Sequence, residues 1–192
     1  MGRARTCETT GDLCRLACFA QRRSGGDHLR RDLAPAVTDV STPKHTGRNL
    51  CGVAGPFQRG RGGPGGWWLI QDVDVEFGSH DICRPGISGW RKERIPEFPA
   101  ERPVRHLPDW VCDGLSPRTA LHDQGEKRAL YQRTGIPWYW LVALLNRTLT
   151  VLRLVPEGYV VEQVVGDTGS AALPPFEVVE IDITSIFPPR AG

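Results

Sequence analysis

One well-punctuated helix stands between two apolar strands in the segment 110–142. Trp110-Val111-Cys112-Asp113-Gly114-Leu115 reads as a strand and stops at Ser116-Pro117. Ser followed by Pro starts a helix well, because the hydroxyl caps a free backbone N–H and the proline ring suits the first turn. The helix is expected to run from Pro117 to about Thr134. Gly135 then supplies the C-terminal stop and Pro137 prevents continuation. Trp138 to Val142 follows as a buried apolar strand. A helix bracketed in this way has to lay its apolar face on a sheet.

More strands lie on either side. In Trp67 to Phe77 the positions Leu69, Val73, Val75 and Phe77 are apolar, while Asp72, Asp74 and Glu76 face the other way. That alternation predicts one strand over 67–77. Gly78-Ser79-His80 turns the chain, and Asp81 to Trp90 offers its hairpin partner. Arg91 to Leu107 is charged and proline-rich, hence a loop. Thr148 to Val155 and Tyr159 to Val165 form a hairpin around Pro156-Glu157-Gly158, and a short strand is expected near Val178 to Ile183. The sum is an α+β, or mixed α/β, sheet with one main helix.

Composition divides the chain near residue 50. Residues 1–50 carry nine Lys or Arg against five Asp or Glu and contain no Trp or Tyr. They read as a poorly ordered basic N-terminal segment, leaving 51–192 as the folded domain. The net charge of +2 is too small to name a polyanionic partner by itself. No stretch approaches the roughly 20 apolar residues of a membrane span, so no membrane partner is expected. Residues 6–23 are interrupted by Glu8, Asp12, Arg15 and Arg22 before an export signal could form. The six cysteines are spread too widely for a small disulfide scaffold, and the compartment is read as cytoplasmic.

One group of residues has the makings of chemistry. Asp113 lies inside an apolar strand that turns directly into the helix, where Asp123, Lys127 and Tyr131 are spaced by four and share a face. A strand-end carboxylate can hold a hard divalent cation, and a facing ammonium can offset the charge that develops on a phosphorane. The plainer reading is an Asp123–Lys127 ion pair on the helix surface, worth a few tenths of a kcal/mol. Other chemistries have little to stand on. The glycine turn Gly60 to Gly66 lacks the Gly-Lys-Ser/Thr ending of a phosphate loop. The histidines show no ligand spacing, and Cys7, Cys14 and Cys18 fall short of a closed zinc set. Ser116 is better explained as a helix cap than as a nucleophile. The six tryptophans suit a core better than a base-stacking surface.

Three stretches, Asp81–Arg94, Pro108–Lys127 and Tyr131–Val142, occur in an order that resembles the Uma-2 family of the PD-(D/E)xK nuclease superfamily. The resemblance spans roughly residues 54–188, including Gly55–Trp68, while residues 1–50 do not match the family's leading helix and strand. It implies a restriction-endonuclease-like sheet with one main helix packed on it. It also implies DNA as the partner and Mg2+ as the cofactor, and it allows a homodimer. The family pattern has an Asp in a Pro-Asp pair, an acid on the third strand and a lysine on the following helix. By position the lysine is Lys127 and the third-strand acid is Asp113, whereas the Pro-Asp aspartate falls on Gly86, which has no side chain to bind metal. Where the family often shows a further aspartate, this chain reads Val142-Ala143-Leu144. Asp74 is then the carboxylate expected to complete a metal site with Asp113, supported by Asp123 and Ser116. Arg59, Arg61, Arg91, Lys92 and Arg94 are the residues expected to hold nucleic acid. Two functions follow: a metal-dependent DNA endonuclease with an intact or degenerate site, or an inactive relative that binds nucleic acid or serves as an interaction domain.

Overall fold

The computed structural model describes residues 51–79, 81–115 and 122–187. The basic segment 1–50, its cysteines and the helix start at Ser116-Pro117 lie outside the described residues. A six-stranded sheet forms the centre, ordered β1-β4-β5-β6-β7-β8. Its strands are β1 (Trp67–Gln71), β4 (Ile87–Arg91), β5 (Trp110–Leu115), β6 (Trp138–Ala143), β7 (Thr148–Val155) and β8 (Gly158–Val165). Two small ribbons flank it: β2 (Val75–Gly78) with β3 (Asp81–Cys83), and β9 (Ser170–Ala172) with β10 (Glu180–Asp182).

Within the central sheet, among the described residues, only β5 and β6 pair in parallel, with Trp110 opposite Trp138 and Asp113 opposite Leu141. All other neighbours in the central sheet are antiparallel. A parallel pair needs a crossover, and the main helix α1 (His122–Arg133) provides it. It stops as its sequence demands. Gly135 adopts φ +78, and the Ile136 N–H returns to the Tyr131 carbonyl at 2.9 Å.

The expected single strand over 67–77 breaks in the middle. β1 ends at Gln71, and Asp72 takes a left-handed φ of +47 that turns the chain off the sheet. The Asp72 N–H closes the ladder on the Gly86 carbonyl at 3.1 Å. Val75–Gly78 then pairs with Asp81–Cys83 in its own ribbon rather than in the main sheet. The expected partner strand divides too, at Arg84-Pro85-Gly86, because Pro85 has no N–H to give a ladder. At the C-terminal end, pairing is confined to Glu180–Asp182, and the Asp182 carboxylate caps the 3-10 turn Ile183–Ile186 through the Thr184 N–H.

Strand alternation assigns the two faces. Trp110 and Cys112 of β5 enter one layer with Trp140, Leu149, Phe176 and Ile181. Val111 enters the other, with Leu130 and Tyr131 of α1, Tyr139 and Tyr159. Trp90, Trp110 and Trp140 are fully buried, so these rings build the core, as the composition suggested. The close fit depends on Gly89, where a Cβ would come within 2.9 Å of the Trp110 ring. Asp113 has the same strand parity as Val111 and therefore lies on the α1 side of the sheet.

Candidate functional site

A carboxylate at the end of a buried strand must find donors, and Asp113 finds them on three elements. It is 6% exposed. Its Oδ1 accepts the Lys127 ammonium and the Gly86 N–H, each at 2.9 Å, and its Oδ2 accepts the Tyr131 hydroxyl at 3.1 Å. Helical spacing explains the pairing, since Lys127 and Tyr131 are one turn apart on α1 and both face the sheet. The ammonium also donates to the Arg84 carbonyl at 3.3 Å, tying the β3–β4 connection to the helix. Asp113 further acts on the phenol of Tyr139 through its charge and a side-chain hydrogen bond. Burial first, and the charge of Asp113 second, push the Tyr131 and Tyr139 hydroxyls well above the usual tyrosine range. Both phenols therefore stay protonated and serve as donors. The same two causes push up the neighbouring Cys112 thiol, which is inert in its native place.

Two more carboxylates stand nearby, and they are differently employed. Asp74 receives a fork from Arg84, Nε to Oδ1 at 2.9 Å and Nη2 to Oδ2 at 2.8 Å. Asp72 is exposed at the break after β1, yet its carboxyl is raised from 3.8 by desolvation. Arg84 and then Lys127 pull it back down, and Asp113 pushes it up. Asp72 therefore lies within the electrostatic reach of Asp113, Lys127 and Arg84 together. Sequence reasoning missed Asp72 and Arg84 as members of this group. One signal was present: Gln71 interrupts the apolar alternation one residue before the break. Nothing in the residue pattern marked Arg84, whose role follows from the split at Pro85.

The arrangement of an acid on the third strand of a mixed sheet, a lysine on the crossover helix and a glycine beside them can be set against known proteins. A family model, Uma2, described as "Putative restriction endonuclease", matches residues 41–184. The chain belongs to the Uma2 family. The match begins inside the segment that composition had set apart. The fold is also similar to a solved chain from Anabaena variabilis ATCC 29413, described as a putative nuclease belonging to DUF820. The two share 18% identity with a TM-score of 0.53, over 75% of this chain and 81% of that one. No curated protein matches.

The Uma2 resemblance implies a divalent cation held between carboxylates, and the residues present here do not fit one. Gly86 offers Asp113 a backbone N–H where a ligand side chain is expected. A Cβ at Gly86 would stand 3.0 Å from the Cys112 carbonyl oxygen, so little room remains for one. Asp74 is engaged by Arg84, and the Asp113 oxygens are occupied by donors. Among the described residues no group of three His, Cys, Asp or Glu side chains is placed to hold a metal. Asp123 falls in the first turn of α1, four residues before Lys127, and Ser116 lies outside the described residues.

The basic residues expected to hold nucleic acid gather elsewhere in the Uma2 chain. Arg59 and Arg61 are exposed on the glycine turn before β1. The Arg91 guanidinium lies 4.9 Å over the Trp67 ring, and the Lys92 ammonium 4.2 Å over Trp68. Arg94 is forked onto Asp109 at 2.8 and 3.0 Å and also donates to the Leu107 carbonyl. Gly86 precedes β4 and Arg91 ends it, so the five-residue length of that strand separates the two groups by about 17 Å. The structure does not bring them into one site.

Proposed function

We propose that this Uma2 chain is a nuclease-fold DNA-binding protein that does not hydrolyse DNA at an appreciable rate. The single observation that carries this reading is the state of Asp113, whose two oxygens already accept from Lys127, Tyr131 and the Gly86 N–H. Family membership supports DNA as the partner, and the exposed Arg59 and Arg61 supply cationic contacts to phosphate. Metal-dependent phosphodiester hydrolysis needs a cation to activate water and neutralise the phosphate, and the residues here give it no seat. A second reading, residual metal-dependent cleavage, is favoured by the position of Asp72 within electrostatic reach of Asp113 and Lys127.

Fluorescence anisotropy with a short duplex separates these readings. The first predicts a Kd on the order of 1–100 µM, equal in EDTA and in Mg2+ and steeply weakened by salt. Replacing Arg59 and Arg61 together by Ala weakens it further. Absence of binding at low salt overturns DNA as the partner. Binding that requires Mg2+ favours the second reading.

A further inference from the structure

We infer that Phe98 is a stacking platform for an unpaired base, so that this chain binds single-stranded DNA through that ring and the cations beside it. The inference rests on the DNA-binding reading above and narrows it to strands that offer a free base. Phe98 is 47% exposed, and no other aromatic ring among the described residues stands in the exposed class. The residues around it in the loop after β4 are fastened down. Ile95 is buried and its carbonyl accepts the Trp68 indole N–H at 3.0 Å, while Pro99 is buried as well. The Phe98 ring itself meets the Trp68 ring at an angle of 88°, with centroids 5.4 Å apart. A perpendicular neighbour covers one face of a ring at most, so Phe98 keeps a face open. A ring held outward by an anchored loop loses little freedom when a base covers it.

Trp68 also gathers the charge. The Lys92 ammonium lies 4.2 Å over its ring and donates to the Gln58 carbonyl at 3.5 Å. The Lys92 main-chain N–H donates to the Gly66 carbonyl at 2.9 Å. These two bonds tie Lys92 to both ends of the glycine turn that carries the exposed Arg59 and Arg61. Phosphate-binding cations and an open ring are thereby joined through one indole. Two exposed acids temper the charge: Glu93, 3.6 Å from Arg91, and Glu97, next to Phe98 in the chain. Arg94 is engaged by Asp109. Lys92, Arg59 and Arg61 set against Glu97 still leave the surplus positive, which suits a phosphodiester strand. A duplex keeps its bases stacked inside and offers Phe98 only its backbone. A single strand offers a base to the ring and phosphates to the cations together, and any base serves, because each has a π face.

The test is fluorescence anisotropy of the full chain at low salt with three probes of about equal length, roughly twelve nucleotides. They are an oligothymidylate, a duplex, and an abasic strand that keeps the phosphates and lacks the bases. Phe98→Ala is expected to weaken oligothymidylate binding roughly 5- to 150-fold, the loss of one stacked base. The abasic strand is expected to bind wild type and Phe98→Ala alike, and Phe98→Trp is expected to restore the oligothymidylate. Replacing Arg59 and Arg61 together by Ala is expected to weaken all three probes, as phosphate contacts do. Phe98→Leu keeps apolar bulk against Trp68 and cannot stack, so it serves if Phe98→Ala does not fold. Oligothymidylate binding that is the same in Phe98→Ala or Phe98→Leu as in wild type overturns the inference. So does an equal loss on the oligothymidylate and the abasic strand. Duplex binding by wild type together with either of those results leaves the DNA-binding reading standing, whereas wild type that binds none of the three probes overturns both.

Discussion

Replacing Lys127 by Met keeps the stem of the side chain and withdraws the charge from Asp113. At 2.9 Å the pair's attraction is about 6 kcal/mol at an effective dielectric of 20. Part of that is returned, because the lysine is 19% exposed and its desolvation is no longer incurred. Tyr131 and the Gly86 N–H also continue to solvate the carboxylate. The net loss is therefore expected at about 2–4 kcal/mol, around and just below the lower end of the roughly 3–5 kcal/mol that breaking a buried pair costs. For a chain of this length that lowers Tm by roughly 4–16 °C, at about 2–4 °C per kcal/mol. Urea unfolding of wild type, Lys127→Met, Asp113→Asn and the double variant closes a cycle. The double variant should lose about 2 kcal/mol less than the sum of the single losses, because neither partner is left buried and alone. A coupling below about 0.5 kcal/mol would show that the contact is incidental and would refute the reasoning.

Other outcomes follow from neighbouring groups. Asp72→Gly is expected to stabilise by about 0.5–1 kcal/mol in urea unfolding, because φ +47 is strained for a residue with a Cβ. The folded-state carboxyl of Asp72 is raised above 3.8, so folding favours its protonated form. Its contribution to stability falls as pH rises from 3.8 through the raised folded value. The advantage of Asp72→Asn over wild type should therefore grow across that window and level off above it, and a pH-independent difference would contradict this. Gly86→Asp brings a Cβ to 3.0 Å from the Cys112 carbonyl and a second charge towards Asp113. A cost of about 1–3 kcal/mol in EDTA is expected, and a variant as stable as wild type would count against the tightness described here. Cys83 and Cys112 are buried, so native-state iodoacetamide should leave both unmodified until the chain is unfolded, as read by peptide mass.

Where the sequence carried strong local punctuation, the fold could be read from it. Gly135 and Pro137 marked the end of α1, and Pro156-Glu157-Gly158 marked the β7–β8 turn, because glycine and proline act through the backbone at their own positions. Gln71 was the one sign of the division of 67–77, and the division of 81–89 was not legible. Alternation survives through Val73, Val75 and Phe77 even though the chain has left the sheet, since those residues still face the core under α1. A period of two reports which side is buried and says nothing of which strand is the neighbour. At the site, the α1 face that holds Lys127 and Tyr131 followed from helical spacing. The register that puts Gly86 opposite Asp113 depended on the resemblance. Arg84 and Asp72 enter only through tertiary turns, at Pro85 and at the left-handed break, which no periodicity records. The expected role of Asp74 as a partner to Asp113 meets a fork from Arg84 that a one-dimensional pattern has no means to display.

The measurement that bears most directly on this account is supercoiled-plasmid nicking by the purified full chain, across EDTA, Mg2+ and Mn2+, with Asp113→Asn as the matched control. With Lys127 seated on Asp113 and Gly86 in the place of a carboxylate, wild type should nick no faster in either metal than in EDTA, and no faster than Asp113→Asn. Metal-dependent nicking by wild type that disappears in Asp113→Asn would contradict the account. Its loss in Asp72→Asn as well would identify Asp72 as the carboxylate that replaces the missing ligand.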